Sequence, residues 1–453
     1  MAADISPIEA LGYRPTHKTV KERKAGKGKV IARLSLEQFT KDKKRTAVVL
    51  LSLAASLSVY FCIVTMLDSQ AARTIVSNYM DTDMVIQNDT ACKEKSEDRR
   101  DILDEAFVKS IKENAGVSEV HSMIFAEITV PWEPDFAEIW MKEFYAKWMS
   151  IPYSKEKEEY QNHPENFGSS LIGIDEQEFD YLNNSLTHPI NKEDFLSGKA
   201  CIVYRNGLDF ADADIIGKNV TCALYEDQQT TKTFTIEGVT DENYYTALLG
   251  YPPTMIVSDQ VVKTFANHPI TLKTSIKYHK EYDRDTEQEI LALLEENDNA
   301  KDFSWESKIE DADEIEKAQG NMPQVGIGIV LILAFIGIMN YMNTFVVNVQ
   351  SRMTELSVME SIGMTPKQLL GMLVREGVLY AGGAWLVTLT VGMGATYLLY
   401  ESMNYRGIAF SVPLLPLLFA VGISFLVCTM VPVLTWIILE KNGTVVERIR
   451  GVE

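Results

Sequence analysis

The sequence predicts an α-helical membrane protein with four transmembrane helices and a large extracytoplasmic α/β domain between helices one and two. Three observations lead there: four long apolar runs, a division of charge along the chain, and recurring strand–helix–strand patterns in the acidic part. The chain has 453 residues, 46% hydrophobic and 23% charged, which excludes a disordered or collagen-like chain. The runs cover 46–67, 324–347, 374–400 and 413–439, each reaching the roughly 20 residues that cross a bilayer core. Only Arg375 and Glu376 bring charge into them. Both lie at the first turn of the third run, where long side chains can snorkel to the interface. A polar segment precedes the first run, which is too long and too far along the chain to be a cleavable signal peptide.

Charge gives the orientation. The net charge is −20, yet between Asp68 and Gly320 stand 24 basic and 51 acidic residues, a net of −27, and the remainder carries +7. Arg14, Lys18, Lys21, Arg23, Lys24, Lys27, Lys29, Arg33, Lys41, Lys43, Lys44 and Arg45 crowd the approach to the first run. By the positive-inside rule that end is cytoplasmic. Four spans return the C-terminus to the same side, where Lys441, Arg448 and Arg450 agree, as do Arg352, Lys367 and Arg375 after the second span. The expected layout is a linker at 1–29, an amphipathic helix with transmembrane helix one at 30–67 and the outer domain at 68–320. Helix two follows at 321–349, an inner connection at 350–373, helix three at 374–400, an outer loop holding Arg406 at 401–412, helix four at 413–439 and a tail at 440–453. The segment 30–45 reads as a short helix on the inner membrane surface, with a plain extension of the first span as the alternative.

The outer block alternates strand and helix signals, which favours a compact α/β domain over a stalk. Strands are expected at 117–130, 171–174, 199–204, 219–225, 232–239, 254–257 and 273–278, and helices at 101–114, 175–183, 259–265 and 285–297. Two lobes are expected, with a break near Gly198 or Asn206-Gly207. The acidic helices at 283–296 and 306–317 read as solvated faces. Phe136, Trp140, Phe144 and Trp148 recur every four residues along one helical face. That stripe is either lobe packing or a surface for a peptide, lipid or extracellular protein. Of the five cysteines, Cys92, Cys201 and Cys222 fall outside the spans and allow at most one bridge, or none.

Signatures of chemistry are missing. The sequence has no G-x-x-x-x-G-K-[ST] phosphate loop and no HExxH. The stretch GSSLIG has the wrong spacing for a serine elbow. The six histidines show no metal-ligand spacing. No catalytic, cofactor or metal residue is assigned, and no nucleic-acid partner is expected.

The informative stretch is the inner connection, NTFVVNVQSRMTELSVMESIGMTPKQLLGMLVREG. A helix is expected to run on from the second span to Ile362 and to end at Gly363, where left-handed geometry is cheap. Thr365-Pro366-Lys367-Gln368 then opens a new helix with threonine as cap, proline first and glutamine third. The product is a stiff elbow at the inner face, better suited to docking than a plain loop. Asn340, Asn343, Thr344 and Asn348 form a polar stripe near the inner end of the second span, read as packing glue between helices. Pro432 is expected to kink the fourth span, and Gly382, Gly383, Gly392 and Gly394 to let helices approach closely.

These residues resemble the FtsX-like/MacB-type ABC transporter permease family. The likeness is densest over Asn343, Arg352-Met353-Thr354-Glu355-Leu356-Ser357, Glu360-Ser361-Ile362-Gly363-Met364-Thr365-Pro366-Lys367-Gln368-Leu369 and Glu376, and Lys43-Lys44-Arg45-Thr46 is similar to the family's entry to its first span. The resemblance implies a separate cytoplasmic ATPase, holding ATP and Mg, docked on the elbow. It also implies a second permease unit, either the same chain or a related half. Arg352, Glu355, Glu360, Gly363, Thr365, Lys367 and Gln368 are the elbow residues it carries over; Asn340, Asn343 and Asn348 remain helix-packing residues. Ser6-Pro7-Ile8-Glu9-Ala10-Leu11 resembles the family's tail after the last span, which implies the second half of a double-length permease or a split subunit. The expected function is that of a permease subunit coupling ATP hydrolysis to the outer domain, for export or expulsion of peptides or other amphiphiles. A regulator of a cell-wall hydrolase and a receptor without an ATPase are the alternatives.

Overall fold

A computed structural model describes residues 30–41, 43–93, 98–247, 250–404 and 407–441. The expectations placed on 1–29, on Ser6 to Leu11, on Arg406 and on the tail beyond Lys441 lie outside the described residues. The chain divides into two units, one holding the residues up to Gln70 and from Asn321 onward, the other Ala71–Gly320.

Ala71–Gly320 is built on nine strands: β1 (Met84–Asn88), β2 (Val117–Thr129), β3 (Gly168–Ile174), β4 (Ala200–Tyr204), β5 (Asn219–Leu224), β6 (Thr231–Thr240), β7 (Met255–Ser258), β8 (Ile270–Tyr278) and β9 (Phe303–Ser307). Six of them close on themselves. β2 pairs with β3, β3 with β7, β7 with β4, β4 with β6, β6 with β5, and β5 returns to β2. A closed ring leaves no unpaired strand edge. Inside it Ile128, Leu171, Cys201, Val203, Val220, Phe234, Ile236 and Met255 pack with Trp140 and Tyr145 from the helix Ala137–Trp148 and with Val262 from the helix Asp259–Phe265. On the outer face, Phe179 and Leu182 of the helix Glu176–Ser185 cover Ile172, Ile202 and Ile256. β3, β4 and β7 are therefore buried on both faces, which explains why they read as continuous apolar runs.

The remaining strands extend this ring as an open sheet, β2–β8–β1–β9. β2 belongs to both parts: its first half pairs with β8 and its second with β3, the two pairings overlapping at Ile124 and Phe125 just past a bulge between Met123 and Ile124. Bulges bend a strand and increase its twist, which lets one 13-residue strand serve two sheets. Helices Glu105–Lys112 and Arg284–Glu295 lay Ile111, Ile290 and Leu294 over Met84, Ile86 and Ile276. The expected break at Gly198 or Asn206-Gly207 is thus misplaced. Those residues form turns of positive φ flanking β4 in the ring, and the two parts are interleaved along the chain. The strands β1 and β9 were not foreseen. The solvated reading of 283–296 also needs correction, because Glu287 is buried and accepts a 2.9 Å hydrogen bond from Ser307. All five cysteines are free, Cys201 and Cys222 as core thiols of the ring.

The other unit holds four helices long and apolar enough to cross a membrane: Thr46–Ser69, Met322–Gln350, Pro366–Met403 and Leu414–Ile438. They match the four apolar runs; the first three helices run past theirs on at least one side, and the fourth lies within its run. Glycines set their spacing. A Cβ on Gly337 would press on Ser56, one on Gly383 on Leu50, and one on Gly392 on Ser58, all residues of the first span. Gly382 and Gly394 face open space. The third span carries a wide π-type turn over Thr388–Gly392, and there Thr388 Oγ1 donates to the Ala54 carbonyl at 3.4 Å. Pro432 has no N–H to give the Cys428 carbonyl; Tyr341 donates its hydroxyl to that oxygen at 3.3 Å. Gly377 packs directly against the same carbonyl.

Candidate functional site

The candidate site is the connection between the second and third spans. The second span ends at Gln350, Ser351 and Arg352 turn the chain, and a separate elbow helix covers Met353–Ser361. The expected single helix to Ile362 therefore ends twelve residues earlier, at Gln350. The elbow helix closes as foreseen. Gly363 has φ +112°, its N–H donates to the Glu360 carbonyl at 3.0 Å, and Met364 N–H donates to the Met359 carbonyl at 3.1 Å. Those two bonds form a Schellman closure, with Met359 and Met364 packed against the bundle core. Thr365 then caps the third span: Gln368 N–H donates to Thr365 Oγ1 at 3.4 Å and Thr365 N–H donates to Gln368 Oε1 at 2.9 Å. Leu356 and Ser357 face inward, whereas Glu355, Val358, Thr365, Lys367 and Gln368 are exposed and Ile362 is 82% exposed. The elbow is a short rigid wedge with an apolar tip and a polar rim.

Arg352 behaves differently from its neighbours. Its side chain is only 12% exposed and turns into the bundle, where Nη2 lies 2.9 Å from both carboxylate oxygens of Glu376. Its Nε donates to the Asn348 carbonyl at 3.4 Å. Glu376 is 1% exposed, so the expectation that it snorkels is wrong; Arg375 beside it is exposed. Asn348 is buried and donates to Tyr380 Oη at 3.3 Å. Asn340 and Asn343 are exposed. Of the three amides, only Asn348 packs within the bundle.

The segment before the first span joins this network. Helix Val30–Lys41 packs on the first half of the third span, with Ser35 Oγ donating to the Met372 carbonyl at 3.3 Å and the Phe39 ring tilted against Tyr380 at 5.1 Å. Leu34 and Phe39 of this helix pack against the bundle core. Lys41 reaches Glu355 of the elbow helix at 2.8 Å. Glu376, Tyr380 and Lys41 were not among the predicted site residues. The signal for Glu376 was present: it is the sole acidic residue of its apolar run.

The aromatic stripe divides. Phe136 and Trp140 are buried in the ring core, and Trp140 Nε1 donates to the Tyr251 carbonyl at 3.0 Å. Phe144 is half-buried against Tyr251. Trp148 is 55% exposed and donates to the Asn206 carbonyl at 3.1 Å. At the start of this helix burial works against the charge of Glu138, but hydrogen bonds from Lys157, Lys142 and Trp132 outweigh it and hold its carboxyl down to about 2. Among the described residues no cluster of three or more His, Cys, Asp or Glu is placed to hold a metal ion.

A bundle of four membrane-length helices with a helical elbow defines a multi-pass membrane protein. Residues 327–441 match the family described as FtsX-like permease C-terminal. Among curated proteins none matches the chain significantly. Two of the solved structures that resemble it are outer domains. The periplasmic region of MacB from Actinobacillus actinomycetemcomitans is 16% identical, with 54% of this chain and 99% of that one covered and a TM-score of 0.30. The extracellular domain of the noncanonic ABC-type transporter YknZ from Gram-positive bacteria is 17% identical, with 45% and 88% covered and a TM-score of 0.27.

Proposed function

We propose that the chain is the permease subunit of an ABC transporter, lying in the cell membrane with both termini cytoplasmic and Ala71–Gly320 outside. A separate cytoplasmic ATPase, carrying ATP and Mg, docks on the elbow and moves the outer unit, for export or expulsion of peptides or other amphiphiles. The elbow carries this reading. A helix closed by a Schellman turn at one end and followed at once by a capping box is stiff, and Val358 and Ile362 give it an apolar contact point. Stiff elements transmit displacement; loops absorb it. The outlying amides support a second permease unit, either the same chain or a related half. Asn340 and Asn343 are exposed within a span, and an amide in hydrocarbon favours another helix with which to hydrogen-bond.

The test is stimulation of a co-expressed ABC ATPase by the purified permease. Ile362→Asp is expected to abolish stimulation while the chain still inserts and remains monodisperse in detergent. Full stimulation by that variant would remove the elbow from the mechanism. Cysteine in place of Asn343 is expected to give a disulfide-linked permease pair, and only monomer after oxidation would count against the second unit.

A further inference from the structure

We infer that Arg352 and Glu376 are the positioning pair of the elbow, a buried ion pair that sets the angle at which the elbow helix leaves the second span. For its use in coupling, the inference rests on the docking reading above; its geometry stands apart from that reading.

Locally, Ser351 Oγ donates to the Asn348 carbonyl at 2.8 Å, a bond that helices commonly tolerate. No glycine or proline occurs between Ile338 and Ile362, and helices seldom stop without one of these or a strong cap. No side chain caps the elbow helix at Arg352. The cause is tertiary. Arg352 sits where the helix breaks, and its guanidinium reaches across to both oxygens of Glu376 on the third span. The residue at the break is the residue tied to the neighbouring span.

The pair is poised to act as a latch rather than a spring. Glu376 is almost fully enclosed. A buried charge that loses its partner is strongly destabilising, so the elbow cannot swing freely while Glu376 stays in place. It holds one angle or releases wholly. The other tie, Lys41 to Glu355, is between exposed side chains and adds little. The inner end of the bundle also holds Asn348 and Tyr380 beside the pair, so the same point links the second span, the third span and, through Phe39, the helix before the first.

The test is a distance between spin labels on the full-length chain in lipid nanodiscs, one at Ile362 and one at Ile438, both exposed. The parent chain is expected to give one narrow distribution. Arg352→Gln, which leaves Glu376 unpartnered, is expected to broaden it or to shift it by roughly 5 Å or more, about one helical pitch, as the elbow straightens onto the second span. Arg352→Lys keeps a charge and is expected to restore most of the narrow peak. Because the single variant can fail by unfolding, the deciding variant is Arg352→Met with Glu376→Leu, which removes the link without stranding a charge. A broad or shifted distribution from a monodisperse double variant supports the pair as the positioning device. An unchanged narrow peak from the same variant overturns it. If the distances behave as expected while no ATPase is stimulated, the docking reading fails and the positioning pair stands.

Discussion

At the scale of single residues, the aromatic stripe shows how periodicity both informs and misleads. Residues four apart on an α-helix advance about 40° per step, so Phe136, Trp140, Phe144 and Trp148 wind progressively away from one face. The first two are buried, the third half-buried and the last exposed. A repeat of four cannot tell a core stripe from a surface stripe; only the rest of the fold does. Trp140→Ala is expected to cost about 3–5 kcal/mol of stability, read as a lower denaturant midpoint, and Trp148→Ala within about 1 kcal/mol. Comparable losses at both sites would contradict their placement. His121 was passed over because scattered histidines suggested nothing. Its Nδ1 lies 2.7 Å from Asp175 Oδ2 and its Nε2 3.7 Å from Glu119 Oε2. The hydrogen bond to Asp175, opposed by burial, raises its pKa above the ordinary 6.5. A raised folded-state pKa contributes stability that is complete below the unfolded value and fades as pH climbs through the folded one. The melting temperature of the full chain in detergent is therefore expected to exceed that of His121→Gln most at about pH 6 and least at about pH 9. A gap that stays constant over that interval would mean that the imidazole does not titrate there.

At the scale of elements, the spans were legible because length and apolarity suffice to place them. The closing turn and the new helix were legible too, since Gly363 and Thr365-Pro366-Lys367-Gln368 carry their instructions locally. The break at Ser351 and Arg352 was not, because its cause lies 24 residues away in Glu376. Two substitutions separate these cases. Gly363→Val meets no neighbour, as nothing lies within 4 Å of a Cβ there. Its penalty is backbone strain of about 1–3 kcal/mol at a φ that side chains avoid, confined to the elbow. Insertion is expected to be normal and stimulation of the ATPase to fall; a variant that stimulates fully would show that the turn tolerates other geometry. Gly377→Ala is different, because the added methyl would overlap the Cys428 carbonyl and force the third and fourth spans apart. Overpacking of this kind costs about 1–3 kcal/mol or more, expected as a lower melting temperature of the whole bundle.

At the scale of the whole molecule, the mixed α/β character of Ala71–Gly320 followed from alternating patterns, but its topology did not. A ring closed by the return of β5 to β2 involves only two residue pairs, and no local signal marks them. β2 looked like one strand and is one; that it serves two sheets depends on a bulge the sequence does not announce. The orientation proposed for the chain is testable with a membrane-impermeant thiol reagent in a background lacking the exposed Cys92. Cysteine at Lys109 is expected to label on intact cells, and cysteine at Lys367 only after permeabilisation. The reverse pattern would invert the protein and end the proposal. The helices Ala72–Ser77 and Lys308–Gln319 pack together through Val76 and Ala312, with Met80 just beyond the first, so the two ends of a 250-residue insertion emerge side by side. Such a cassette is separable in principle: a few glycines and serines in its place can span the gap, and a foreign head with neighbouring termini can be grafted onto the same stem.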